Sequence, residues 1–141
     1  NENWKNAPSV NESFPLAHRV PRQLLDIFAL VLYCGWIYYL SAQESLPMPQ
    51  VFDFQDKLLH FGAYAVMGVL ALRALRHFTR STTVLAWFAV LFCSLYGISD
   101  EWHQSHVPGR DANLLDWLAD SLGALTAVGL MTKLIGTDNA R

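Results

Sequence analysis

Four apolar stretches of helical length, separated by short polar ones, constrain this chain more than any other feature. They run from Leu24 to Leu40, Leu58 to Leu75, Thr82 to Ser99 and Asn113 to Ile135. Eighteen helical residues span roughly 27 Å, close to a bilayer hydrocarbon core of about 30 Å. The competing fold is a soluble four-helix bundle, in which each helix keeps a polar stripe. The run Ile27-Phe-Ala-Leu-Val-Leu-Tyr-Cys-Gly-Trp-Ile is apolar all round, and so is Val84 to Leu95. Four short helices cannot bury all of that surface against one another. The expected fold is therefore all-α, a four-helix transmembrane bundle.

Composition agrees with this. At 141 residues the chain is one domain, with 16% charged and 52% hydrophobic residues; soluble domains carry about 25% charged residues. A net charge of -2 gives no reason to expect nucleic-acid binding. Cys34 and Cys93 lie inside apolar runs without metal-type spacing and read as packing residues. The start of the chain shows no secretory-signal pattern. Residues 1–22, rich in Asn, Pro and Ser, are expected to be a mobile tail, 23–136 the transmembrane domain, and 137–141 a short C-terminal tail.

Orientation follows from Lys and Arg placement. Arg73, Arg76 and Arg80 close the second segment, Lys5, Arg19 and Arg22 precede the first, and Lys133 and Arg141 end the chain. With four spans these eight share one side. The bias places both termini and the 73–83 loop in the cytoplasm, and the 41–57 and 100–112 loops outside. Tyr38, Tyr39, Trp102 and Trp117 then fall near the outer interface, where amphipathic rings are favoured.

That topology gathers three polar clusters at the outer face. Asp56, His60 and Tyr64 recur every four residues beside Lys57. The stretch Asp100–Arg110 holds Asp100, Glu101, His103, Gln104, His106 and Arg110. In the last segment Asp116, Asp120, Gly123 and Ala127 form one stripe, acids outermost and small residues deeper, suited to close helix packing. Plain roles compete with chemical ones. Asp53-Phe-Gln-Asp56 and Asn113-Leu-Leu-Asp116 have the form of helix N-caps with an acid at the third position. Pro108-Gly109 reads as a turn, His106 and Asp111 as solvated, and His77 as without special role. His60 and Asp120 resist such accounts, because an ionised group below the headgroups costs several kcal/mol unless paired or hydrated. His60 and Glu101 are the candidate acid–base pair. Lys57, Tyr64, Asp100, His103, Gln104, Arg110, Asp116 and Asp120 are the candidate substrate-binding residues, with Arg110 suited to a bidentate grip on phosphate or carboxylate. His and carboxylate groups could also bind a divalent metal, but spacing along the chain gives no metal motif, and the cofactor stays open.

The motifs Asp56-Lys57-x-x-His60-Phe61-x-x-Tyr64, Gly97-x-x-Asp100-Glu101-x-His103-Gln104, Pro108-Gly109-Arg110 and Asp116-x-x-Ala119-Asp120-x-x-Gly123 together resemble the VanZ-like family of small integral membrane proteins. The resemblance covers about Ser41 to Gly129. Asp120 departs from it, since the family often has Asn there. The resemblance implies a bacterial envelope setting and the family's association with resistance to the glycopeptide teicoplanin. The combined expectation is a multi-pass protein of the bacterial inner membrane whose outer-face site binds an anionic lipid-linked or cell-wall precursor among the membrane lipids. A lipid or small-molecule transporter, or a bundle merely locked by its polar cluster, are the other readings.

Overall fold

The computed structural model describes residues 21–44, 49 and 51–138, with side chains described as far as Leu134. Residues 1–20 and 139–141 of the two expected tails lie outside the described residues. The rest is helical: α1 (Arg22–Ser41), α2 (Gln55–Leu75), α3 (Thr82–Gln104) and α4 (Leu114–Asp138). All four are long and apolar enough to cross a membrane. The chain runs up and down, so α2 and α4 are parallel. Their N-termini meet the C-termini of α1 and α3 at one end of the bundle.

Local chemistry sets most helix ends. Ser81 caps α3, its Oγ accepting from Val84 N at 3.4 Å, and Asn113 Oδ1 accepts from Leu115 N at 2.9 Å where α4 begins. The cap expected at Asp53 is not used. Phe54 precedes α2 without a side-chain cap. Gln55 instead fixes the entry, accepting from Val51 N at 2.7 Å and donating to Pro49 O at 3.1 Å.

The third helix does not stop at Ser99, and the outer loop does not begin at Asp100. α3 continues through the polar motif to Gln104. Nothing in Asp100–Gln104 breaks a helix, and Asp100, Glu101 and Gln104 are turned inward and buried. Termination comes at the Val107–Arg110 turn, where Arg110 N donates to Val107 O at 3.1 Å. Gly109 sits there at φ 80, a left-handed position that Gly occupies without steric penalty.

α2 and α4 form the closest helix pair. A Cβ on Gly123 would collide with the Phe61 carbonyl, and one on Gly68 would stand 3.2 Å from Ala124 Cα. The small-residue stripe expected along α4 is present, with Ala124 rather than Ala127 opposite Gly68. Met67, Ala71, Ala89, Cys93, Ala124 and Val128 fill the centre. Phe28, Trp87, Leu95 and Leu125 are all more than half exposed. Such a surface is stable against acyl chains and unfavourable in water. α1 is the peripheral helix, lying mainly on α2. Two tyrosines tie it down: Tyr33 Oη donates to Ala63 O at 2.9 Å, and Tyr96 Oη to Cys34 O at 2.6 Å.

Candidate functional site

At the end where α2 and α4 begin, the ionisable residues converge. The first turns of these helices carry Asp56 and Asp116, where helix dipoles favour negative charge. One turn of α2 separates Asp56 from His60. Parallel packing then sets Lys57 against Asp116 and His60 against Asp120. Lys57 Nζ is ion-paired with Asp116 and stands 3.4 Å from Asp56 Oδ2. His60 Nδ1 lies 2.9 Å from Asp120 Oδ1, while Nε2 faces Asp56 Oδ1 at 3.9 Å. Asp116 is therefore more than a helix-start residue: Asn113 does the capping, and Asp116 turns inward, 4% exposed.

α3 supplies the rest of the inner wall. Glu101 Oε2 accepts from Asn113 N at 2.6 Å, which holds the start of α4 against the end of α3. Gln104 Nε2 donates to Asp100 Oδ2 at 3.2 Å. Gly97 leaves room for Asp120, whose Oδ2 stands 3.0 Å from where a Gly97 Cβ would be. The groups His60, Glu101 and Asp120 bring one donor atom each within 4.8 Å of one another, and Asp56, His60 and Asp116 do the same nearer the mouth. No spacing rule along the chain could reveal these sets, because each draws on more than one helix.

Two cavities open here. The larger, about 460 Å³, is polar and lined by Asp56, Lys57, Gln104, Arg110, Asn113 and Asp116 among others. The smaller, about 80 Å³, is a mainly apolar cleft beside α1, lined by Ile37, Leu40, Leu59, Ala63 and Tyr64. Asp56, Leu59, Gln104 and Arg110 line both. Among the described residues Arg110 has no carboxylate in salt-bridge range, and its buried Nε has no hydrogen-bond partner. Tyr64 closes the inner end, 1% exposed, with its hydroxyl unpartnered. His103 stands apart: its ring stacks on Tyr38 of α1 at 4.5 Å and lines neither cavity. Trp117 is half-buried between helices and donates to Ser94 O at 3.1 Å, so it packs α4 on α3. His106 is an exposed turn residue, 2.8 Å from Trp102 O.

The balance of charge is uneven. Asp100, Glu101, Asp116 and Asp120 are all buried. Lys57, His60 and Arg110 are the bases beside them. Glu101 Oε1 and Asp120 Oδ2 have no partner. Removing ionised groups from water is expensive unless they are paired, so the arrangement suits a site that receives something charged.

A second polar cluster occupies the opposite end and was not expected. Asp26, 3% exposed, accepts from Arg73 Nε at 3.1 Å and Nη2 at 2.7 Å, and from Arg76 Nη2 at 3.3 Å. His77 Nε2 lies 2.9 Å from Oδ2, the oxygen that also accepts from Arg76. His77 thus has a role after all, and the N-terminus of α1 is pinned to the C-terminus of α2. The available signal was an acid inside an otherwise apolar segment, Asp26, which topology sets level with Arg73.

Comparison with known proteins agrees with the motifs. The family profile described as VanZ/LLP1 matches residues 9–135, a span that includes every membrane-length helix. No curated protein and no solved structure matches the chain. With its four apolar helices and its match over nearly the whole sequence, the chain belongs to the VanZ/LLP1 family and is a multi-pass membrane protein.

Proposed function

We propose that this protein binds the anionic head group of a lipid-linked cell-envelope substrate at the outer face of a bacterial cytoplasmic membrane. The observation that carries this reading is Arg110, shared by a polar cavity and an adjoining apolar cleft. A guanidinium without an acid partner is a bidentate site for phosphate. An amphiphile entering here would set its head group against Arg110 and Gln104, beside the Lys57–Asp116 ion pair. Its first chain carbons would lie along Ile37, Leu40, Leu59 and Ala63, beside α1. His60, held by Asp120, and Glu101 form the inner wall. The outer-face placement rests on the Lys and Arg bias, with the paired Arg73 and Arg76 on the cytoplasmic side. Cell-wall precursors and glycopeptides meet at that outer face, which gives the family's association with teicoplanin resistance a physical setting.

A site that only locked the bundle would be closed and fully paired. Here it is open, and Tyr64, Glu101, Arg110 and Asp120 each keep an unpartnered buried atom. Binding of a polyprenyl phosphate to the protein in detergent tests the reading, with inorganic phosphate and an uncharged polyprenol as comparators. The polyprenyl phosphate should bind more tightly than either. Arg110→Ala should raise Kd roughly 10–100-fold, the equivalent of a charge-assisted hydrogen bond of about 1.5–3 kcal/mol. Unchanged affinity in a folded Arg110→Ala protein would remove the basis for the proposal.

A further inference from the structure

We infer that the deep end of the site holds one divalent transition-metal cation, bound by His60, Glu101 and Asp120. The three side chains come from α2, α3 and α4, and their donor atoms lie within 4.8 Å of one another. His60 Nδ1 and Asp120 Oδ1 are 2.9 Å apart. Adjacent ligands on a metal with bonds of about 2.0–2.2 Å stand roughly 3 Å from each other, so this pair already has ligand spacing. Glu101, within 4.8 Å of both, completes the set by a change of side-chain torsion.

A second observation points to a ligand. Glu101 Oε1 and Asp120 Oδ2 have no hydrogen-bond partner, and their residues are only 8% and 0% exposed. Asp120 Oδ2 lies against Gly97 of α3, and Glu101 follows one turn further along that helix. Lys57, the nearest ammonium, is occupied at the mouth by Asp116 and Asp56. Two carboxylates and a neutral imidazole present a charge of about -2, which a dication cancels. An imidazole with two carboxylates suits Zn²⁺ or Mn²⁺ better than Ca²⁺. The outer nitrogen of His60 faces Asp56, 3.9 Å away, and metal-bound histidines commonly donate their second N–H to a carboxylate.

The rival arrangement is a proton shared among the acids and His60, as an acid–base pair would hold it. Metal titration of the purified full chain separates the two, after chelator treatment and in detergent. Mn²⁺ binding would be followed by paramagnetic resonance and Zn²⁺ binding by calorimetry, with thermal melts in parallel. One ion should bind per chain, and Tm should rise with its concentration. Glu101→Gln and Asp120→Asn, which keep size and remove a buried charge, should each weaken binding at least tenfold. His60→Gln is a third variant should either of these fail to fold. Absence of binding to folded wild-type protein would overturn the inference, as would affinity unchanged in Glu101→Gln. A metal-free Tm raised by Glu101→Gln, with no response of the wild type to either ion, would instead assign the shared proton. The titration contains no lipid, so its result is independent of the head-group proposal.

Discussion

Single residues here are constrained by what their neighbours leave open. Gly123 is the extreme case, since any Cβ would meet the Phe61 backbone carbonyl, which cannot rotate away. Gly123→Ala should force α2 from α4 and lower stability by about 1–3 kcal/mol, the usual range for overpacking, read as a lower Tm in detergent. Gly62, one position from Phe61, has nothing within 4 Å of where a Cβ would stand. Gly62→Ala should be neutral or stabilising by up to about 1 kcal/mol, from helix propensity alone. The sequence marked Gly123 as a small residue on the site stripe, but not the backbone contact that makes it indispensable. Asp120 was legible as an anomaly, a charge two turns into an apolar helix. Its partner was not, and the parallel register of α2 and α4 selects His60.

At the scale of the element, α1 depends on polar ties as well as on the apolar burial of Ile37. Asp26 gathers Arg73, Arg76 and His77 at one end, and Tyr33 and Tyr96 bond its neighbourhood further along. Asp26→Ala should leave α2–α4 intact while freeing the start of α1. The check is faster hydrogen exchange of amides early in α1, with those of α2 unchanged. Equal protection in both proteins would mean the cluster holds nothing. Helix existence was legible from apolar length alone, because a span of membrane thickness has few alternatives. The end of α3 was not. Asp100, Glu101 and Gln104 look like loop residues by polarity, yet they are inward-facing helix residues whose solvent is the site itself. Polarity signals exposure only where no polar interior exists. Asp26 was passed over for the converse reason: one acid barely changes the mean hydropathy of a segment.

Across the whole molecule, the two ends differ in kind. One is a closed knot of Asp26 and its bases; the other is an open set of acids with Arg110 and Lys57. The proposed orientation puts the open end outside. In a protein lacking Cys34 and Cys93, a single cysteine at Ser105 should react with a membrane-impermeant maleimide from outside the cell. One at Thr79 should react only after the membrane is opened. The reverse pattern would turn the bundle over. The gathering of polar groups at one end was legible because four spans leave few topologies, and distant motifs then had to share a face. How those groups pair was not, because pairing depends on rotations of helices about their own axes.

The glycine contact between α2 and α4 has a last consequence. Phe61 meets Gly123 one residue along α2, and three along α4, from the point where His60 meets Asp120. Inserting one residue between Asp120 and Gly123 would turn Asp116 and Asp120 by about 100° relative to the glycine. The ionic pairs and the steric fit could then no longer be met at the same helix rotation. Quality control that discards poorly packed copies therefore also screens the electrostatic alignment, so a well-folded copy with a misaligned mouth should seldom survive in the cell.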